Sequence, residues 1–156
     1  MNLLVGVSVR ALAESAVRSG YPVIALDAFG DADLLSLCEG YSLRRDFHLS
    51  FSARHLFKAS QNLQFDGVSY TSNLENYPSV VRDFARRAKI LGNTPEVLTR
   101  VRNWPELYQA LKRDGFRAPL TAYSLEEIPE GFQGRWLQKP VRGGSGRLVS
   151  FWDPGK

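Results

Sequence analysis

A parallel-sheet α/β domain followed by a smaller helix-and-hairpin segment is the architecture this sequence predicts, on three observations. Leu3 to Val9 and Val23 to Leu26 are near-continuous apolar runs, the pattern of strands buried on both faces. Apolar residues at helical spacing fill the stretches between such runs. After residue 92 the texture changes to short helices, turns and a glycine-rich hairpin.

The elements follow in order. Leu3 to Val9 is read as the first strand. Leu12 with Ala16 and Ala13 with Val17 then form i,i+4 pairs on an amphipathic helix that Gly20 ends. Val23 to Leu26 is the second strand, ending at Asp27, and the unit should close as a right-handed parallel βαβ. Leu34, Leu35 and Leu37 predict a short helix, and Ala53 to Leu63 another. Asp66 to Tyr70 reads as a strand that runs into the polar loop Thr71 to Asn76. Pro78 suits a first helical turn, and Val80, Val81, Phe84, Ala85 and Ala88 give that helix its apolar stripe. Ile90 to Asn93 predicts a brief strand that closes a Rossmann-like first domain over residues 1–92. In residues 93–156, Thr94-Pro95 opens a helix carrying Val97, Leu98 and Val101. Asn103 and Glu106 have capping-box spacing before a helix with Leu107, Ala110 and Leu111 turned inward, ended by Gly115. Strands are expected at Ala118 to Tyr123, Arg135 to Val141 and Leu148 to Trp152.

Composition excludes several classes. Hydrophobic residues make up 44% and charged residues 23%, which suits a globular chain with a core and not a disordered one. No run approaches the roughly 20 apolar residues of a membrane helix, and the apolar start is read as a buried strand, not a signal peptide. Cys38, the single cysteine, sits among leucines as a small buried hydrophobe; without a disulfide framework, a reducing cytoplasm is the expected setting. Net charge is +4, with ten Lys/Arg against nine Asp/Glu in residues 1–90 and ten against seven in residues 91–156. Arg44-Arg45 and Arg86-Arg87 are short clusters in a balanced region, so a solvated surface and no nucleic-acid partner is expected. His48 and His55 lack acidic or cysteine partners at ligand spacing, and no metal site is expected in this chain. No serine has a nucleophile-elbow frame.

The segment most able to carry chemistry is Trp136 to Phe151: a strand, then Lys139-Pro140, then Arg142-Gly143-Gly144-Ser145-Gly146-Arg147, then a second strand. Glycines let backbone N–H groups surround phosphate oxygens. Lys139 adds a charge fixed by the strand, and Arg142 and Arg147 can add more. The alternative is an ordinary hairpin with a flexible turn. The loop is not a Walker A motif, because it lacks Gly-Lys-Ser/Thr and runs into a strand.

Strand, Lys-Pro, glycine loop and strand resemble the ATP-grasp superfamily, and the order of elements upstream agrees with it along the chain. The Ser72 to Asn76 and Gly92 to Pro95 segments are further similar to a branch resembling carbamoyl-phosphate synthase. The resemblance implies a pre-ATP-grasp domain, then the beginning of an ATP-grasp nucleotide-binding lobe. It also implies an ATP-dependent ligase that activates a carboxylate as an acyl-phosphate for an amine or similar nucleophile. Lys139, Arg142, Gly143, Gly144, Ser145 and Gly146 would then contact ATP beneath a closing lid. The family's second cation would fall near Asn103-Trp104, which bears none; Arg100 or Arg102, a turn earlier, is the substitute. Magnesium ligands lie far downstream of the lid in that family, so a chain stopping at Lys156 is expected to be a fragment or truncated product, inactive alone.

In the first domain Gly6, Ser8 and Ala11 fail the G-x-G-x-x-G pattern, against dinucleotide binding. Ser8, Arg10, Asp27, Ser72, Asn73 and Glu75 lie where strand ends should gather ligands, and the resemblance makes this the acceptor side. Capping or turn formation is the competing reading for each. Trp104, Tyr108 and Trp152 are open to two readings, a homodimer interface or a face covered by the rest of the lobe. The second function carried forward is a non-catalytic α/β module binding a small ligand or partner.

Overall fold

The computed structural model describes residues 1–131, 134–144 and 146–153. Two compact units divide the chain, Met1–Thr99 and Arg100–Lys156.

In the first unit five strands form one parallel sheet: β1 (Asn2–Val5), β2 (Val23–Asp27), β3 (Glu39–Ser42), β4 (Gly67–Tyr70) and β5 (Lys89–Ile90). Their order is β3-β2-β1-β4-β5. β1 pairs in register with β2 (Leu3 with Ile24) and with β4 (Leu3 with Val68). The order reverses at β1, where the chain has moved outward through β2 and β3 and returns to add β4 on the other side. Such a reversal opens a crevice at the carboxyl ends of the two central strands.

Period-two alternation divides the core between two faces. Leu3, Val5, Ile24, Leu26 and Val68 meet α3 (Ala53–Ser60) and α4 (Pro78–Ala85) through Leu56, Ala59, Val81 and Phe84. Leu4, Val23 and Ala25 meet α1 (Arg10–Arg18) and α2 (Ala32–Leu37) through Ala13 and Leu34. Phe57 meets Phe84 edge-on at 5.1 Å between centroids, the arrangement aromatic quadrupoles favour. Leu98 on α5 (Pro95–Val101) is buried in the same core, which ties most of that helix to the first unit.

Several expectations are corrected. The first strand ends at Val5, not Val9; Val9 is buried because it packs at the start of α1. The last strand of the sheet is Lys89–Ile90, starting one residue and ending three residues earlier than expected, and Ala85 is exposed. β3 was not foreseen: Glu-Gly-Tyr-Ser lacks apolar alternation, and only its Ser42 is buried.

The edge strand is fastened by Asp46. Its carboxylate accepts from the Ser42 amide at 2.7 Å and from the Arg45 guanidinium at 2.8 and 2.6 Å. The Arg45 hydrogen bond and then the Ser42 amide hold the Asp46 carboxyl below the usual carboxylate range, against partial desolvation. A depressed folded-state value means the stabilisation is present above the unfolded carboxylate's value and is lost as pH falls through the folded one. Asp46→Asn should therefore flatten the acid limb of a urea-stability profile and leave its slope near neutral pH unchanged. An unaltered acid limb would contradict this role.

In the second unit α6 (Trp104–Arg113) ends at Gly115, whose φ is +77°. The expected capping box does not form: no side chain caps the helix, and Asn103 Nδ2 instead donates to Glu106 Oε2 at 3.2 Å. Residues 118–123 contain no strand, and the hairpin strands shrink to β6 (Leu137–Gln138) and β7 (Ser150–Phe151), paired antiparallel. Leu107, Ala110 and Leu111 are half-buried, and none of the described residues of this unit is fully buried.

Candidate functional site

Two constellations are described, one in each unit. In the first, backbone hydrogen bonds weld together the loops that leave β1 and β4. Thr71 N donates to Val5 O and Val7 N to Ser72 O, both at 2.9 Å, while the Thr71 hydroxyl donates to Ser8 O at 3.2 Å. Gly6 is needed here for proximity: a Cβ on it would overlap the Thr71 hydroxyl and come within 3.4 Å of Ser72 O. Ser8 and Ser72 are thus brought side by side at the topological switch point, with both side chains exposed.

Asp27 is placed differently from its neighbours. It is 0% exposed, and its carboxylate accepts from Val9 N at 3.3 Å, Phe29 N at 2.9 Å and Gly30 N at 2.8 Å. Both oxygens are committed to holding the β1 and β2 exit loops. Arg10 pairs with Asp33 at 3.0 Å on the surface. Asn73 and Glu75 are half-buried. The Asn73 side-chain oxygen and both polar atoms of Asn76 are shielded from solvent without a partner among the described residues. Burial and then the Glu75 charge push the Tyr70 phenol up from its ordinary value. The Tyr70 hydroxyl donates to Asn93 O at 2.6 Å, tying the end of β4 to the segment after β5.

Thr71 and Asn76 are the residues of this crevice that sequence reasoning left off the candidate set. Their signal was position alone, inside a loop already read as a ligand-gathering strand end.

In the second unit Lys139 follows β6 immediately and is exposed. Trp152 N donates to Trp136 O at 2.9 Å, extending the ladder one step beyond Leu137–Phe151. The loop is a succession of tight turns: Gly143 N to Pro140 O, Arg147 N to Gly144 O, and Val149 N to Gly146 O, at 3.1–3.2 Å. Gly146 adopts φ +71°, and a Cβ on Gly143 would crowd the Pro140 ring. Two of the expected glycines therefore have local reasons to be glycine. Arg142 and Arg147 are exposed, and no ion pair among the described residues involves them or Lys139. Arg102 lies over the Trp104 ring at 5.1 Å. Ser145 lies outside the described residues.

Two cavities lie away from the residues of both constellations in sequence and lining. They measure about 370 and 240 Å³ and flank α4 in the first unit. The described residues contain no group of three His, Cys, Asp or Glu that could hold a metal ion, and no helix long and apolar enough to cross a membrane.

Sheet order and the helices on both faces define a doubly wound parallel α/β domain. No family model and no curated protein matches the sequence. Solved structures do match in fold. The biotin carboxylase domain of a single-chain bacterial carboxylase aligns with 81% of this chain at TM-score 0.60 and 19% identity. N5-carboxyaminoimidazole ribonucleotide synthetase from Thermotoga maritima aligns with 97% at TM-score 0.61 and 16% identity. L-amino acid ligase from Bacillus licheniformis also aligns with 97%, at TM-score 0.56 and 18% identity. The chain spans 33%, 40% and 39% of those three, respectively.

Proposed function

We propose that this chain forms the front of an ATP-dependent ligase. It would comprise the pre-ATP-grasp domain over residues 1–92 and the start of the nucleotide lobe from residue 93. In the reaction, a carboxylate oxygen of a small substrate takes the γ-phosphoryl group of ATP and ADP leaves. An amine or similar nucleophile then attacks the acyl carbon and releases inorganic phosphate. The observation that carries the reading is the hairpin loop, where three cations without ion-pair partners among the described residues rim glycine turns directly after a strand.

Lys139, Arg142 and the backbone of Gly143, Gly144, Ser145 and Gly146 would hold the phosphates. Positioned cations and amides stabilise charge that develops during phosphoryl transfer. Arg102, held over Trp104, would supply the second cation. Magnesium would accompany the phosphates, on ligands from further polypeptide. In the first unit Ser8, Ser72, Asn73 and Glu75 would face the acceptor, with Arg10 at the rim. Asp27 would shape this crevice by fixing its loops, since both of its oxygens are already engaged.

The absence of any fully buried residue among the described part of the second unit supports the need for a further lobe. Phe116, Leu125, Leu148 and Phe151 are each more than half exposed, apolar side chains that further polypeptide would cover. Isothermal titration of Mg-ATP into this chain should therefore give weak or undetectable heat. A micromolar dissociation constant would show that these 156 residues build the nucleotide site unaided.

A further inference from the structure

The cavity of about 370 Å³ beside α4 belongs to neither constellation, and its lining has a charge pattern of its own. Arg82 and Arg86 lie four residues apart on and just beyond α4, and Lys89 opens β5. All three line the cavity, together with Glu96 and an apolar floor that includes Ile90 and Pro95. Like charges four residues apart on a helix repel, so the pair carries a cost unless an anion offsets it.

The neighbouring carboxylates offset it only in part. Asp83 holds Arg86 at 2.8 Å. Glu96 approaches Arg82 no closer than 3.9 Å, and no ion pair among the described residues involves Lys89. Glu96 is also held mainly from elsewhere: its carboxyl is lowered first by a backbone amide and the Thr94 hydroxyl, with Arg82 contributing least. Arg87, next in sequence, is directed away, donating to Ser60 O at 3.0 Å and stacking on Phe65. The concavity is therefore positive on balance, even after both carboxylates are counted, and it is broadly open to solvent.

We propose that this cavity is a binding site for a compact organic dianion, a phosphate monoester or a dicarboxylate with a short carbon chain. The charged ends would engage Arg82, Arg86 and Lys89, and the chain would lie on Ile90 and Pro95. The site shares no residue with the glycine loop and does not rest on the ligase reading.

The test is an ¹⁵N–¹H NMR titration of the chain with glycerol 3-phosphate and, separately, succinate, against sodium chloride at equal ionic strength. Saturable shifts of the Lys89, Thr94 and Glu96 amides are expected with at least one dianion, and the arm that saturates identifies the chemistry. Arg82→Ala and Lys89→Gln should each weaken binding by about tenfold, the loss of one charge-assisted contact. Lys139→Ala should leave it unchanged. Should Arg82→Ala fail to fold, Lys89→Gln carries the test, because that side chain is exposed. Shifts no larger than those given by sodium chloride would overturn the proposal, as an exposed basic face is screened by any salt. So would saturable binding that either substitution leaves intact, or binding that Lys139→Ala removes.

Discussion

Lys139→Ala should abolish most of the thermal stabilisation that Mg-ATP gives the proposed ligase of which this chain would form the front. Ligand binding raises stability in proportion to the logarithm of ligand concentration over the dissociation constant. A lysine contact to a phosphate is worth about 1.5–3 kcal/mol, or roughly ten- to hundredfold in affinity. Lys139 is well placed for that role, because β6 delivers it to the mouth of the loop and no ion pair among the described residues ties it down. Arg142→Ala should weaken binding less, since its side chain leaves from the loop and not from the strand. Equal stabilisation of wild type and Lys139→Ala by Mg-ATP would remove this lysine from the site.

Asp27→Ala should destabilise the first unit by about 3–5 kcal/mol, measured by urea unfolding. The residue is 0% exposed and its two oxygens satisfy the amides of Val9, Phe29 and Gly30. Each buried donor left without a partner costs about 1–3 kcal/mol. Asp27→Asn keeps one acceptor oxygen and should lose roughly half as much. A ligand-contacting Asp27 would behave oppositely, with binding lost and stability retained. A loss below about 1 kcal/mol for Asp27→Ala would contradict the holding role, because it would mean the three amides find other partners easily.

Much of the first unit was legible because its strands are buried on both sides. In β2 all five residues are buried, so the apolar run Val23 to Leu26 could hardly be anything else. Gly20 at φ +79° and Pro78 in the first turn of α4 act as punctuation in the way their chemistry dictates. What failed to show is equally physical. β3 is an edge strand with a polar sequence, and Gly40 brings it close beneath the Leu35 side chain, a contact no local pattern announces. Val9 extended the apolar run of β1 because burial is shared between a strand and the helix packed on it, and periodicity cannot divide the two.

The second unit was overread. Residues 118–123 are read as a strand, yet the segment carries Pro119 and forms none, since β-propensity expresses packing against neighbours and not backbone preference alone. The site was legible as positions and less so as roles. Sequence could put Ser8, Asp27 and Ser72 at strand ends, but the direction of a side chain follows from the register of three separate strands. That register turns Asp27 inward to backbone amides and leaves Ser8 and Ser72 exposed.

In the proposed ligase the loop following Lys139-Pro140 would close over nucleotide phosphates. Amide hydrogen exchange across residues 141–148, measured on the proposed full-length ligase with and without Mg-ATP, tests this most directly. Exchange of the loop amides should slow at least tenfold when Mg-ATP binds, while α6 changes little. Unchanged exchange in the loop at saturating Mg-ATP would contradict the account.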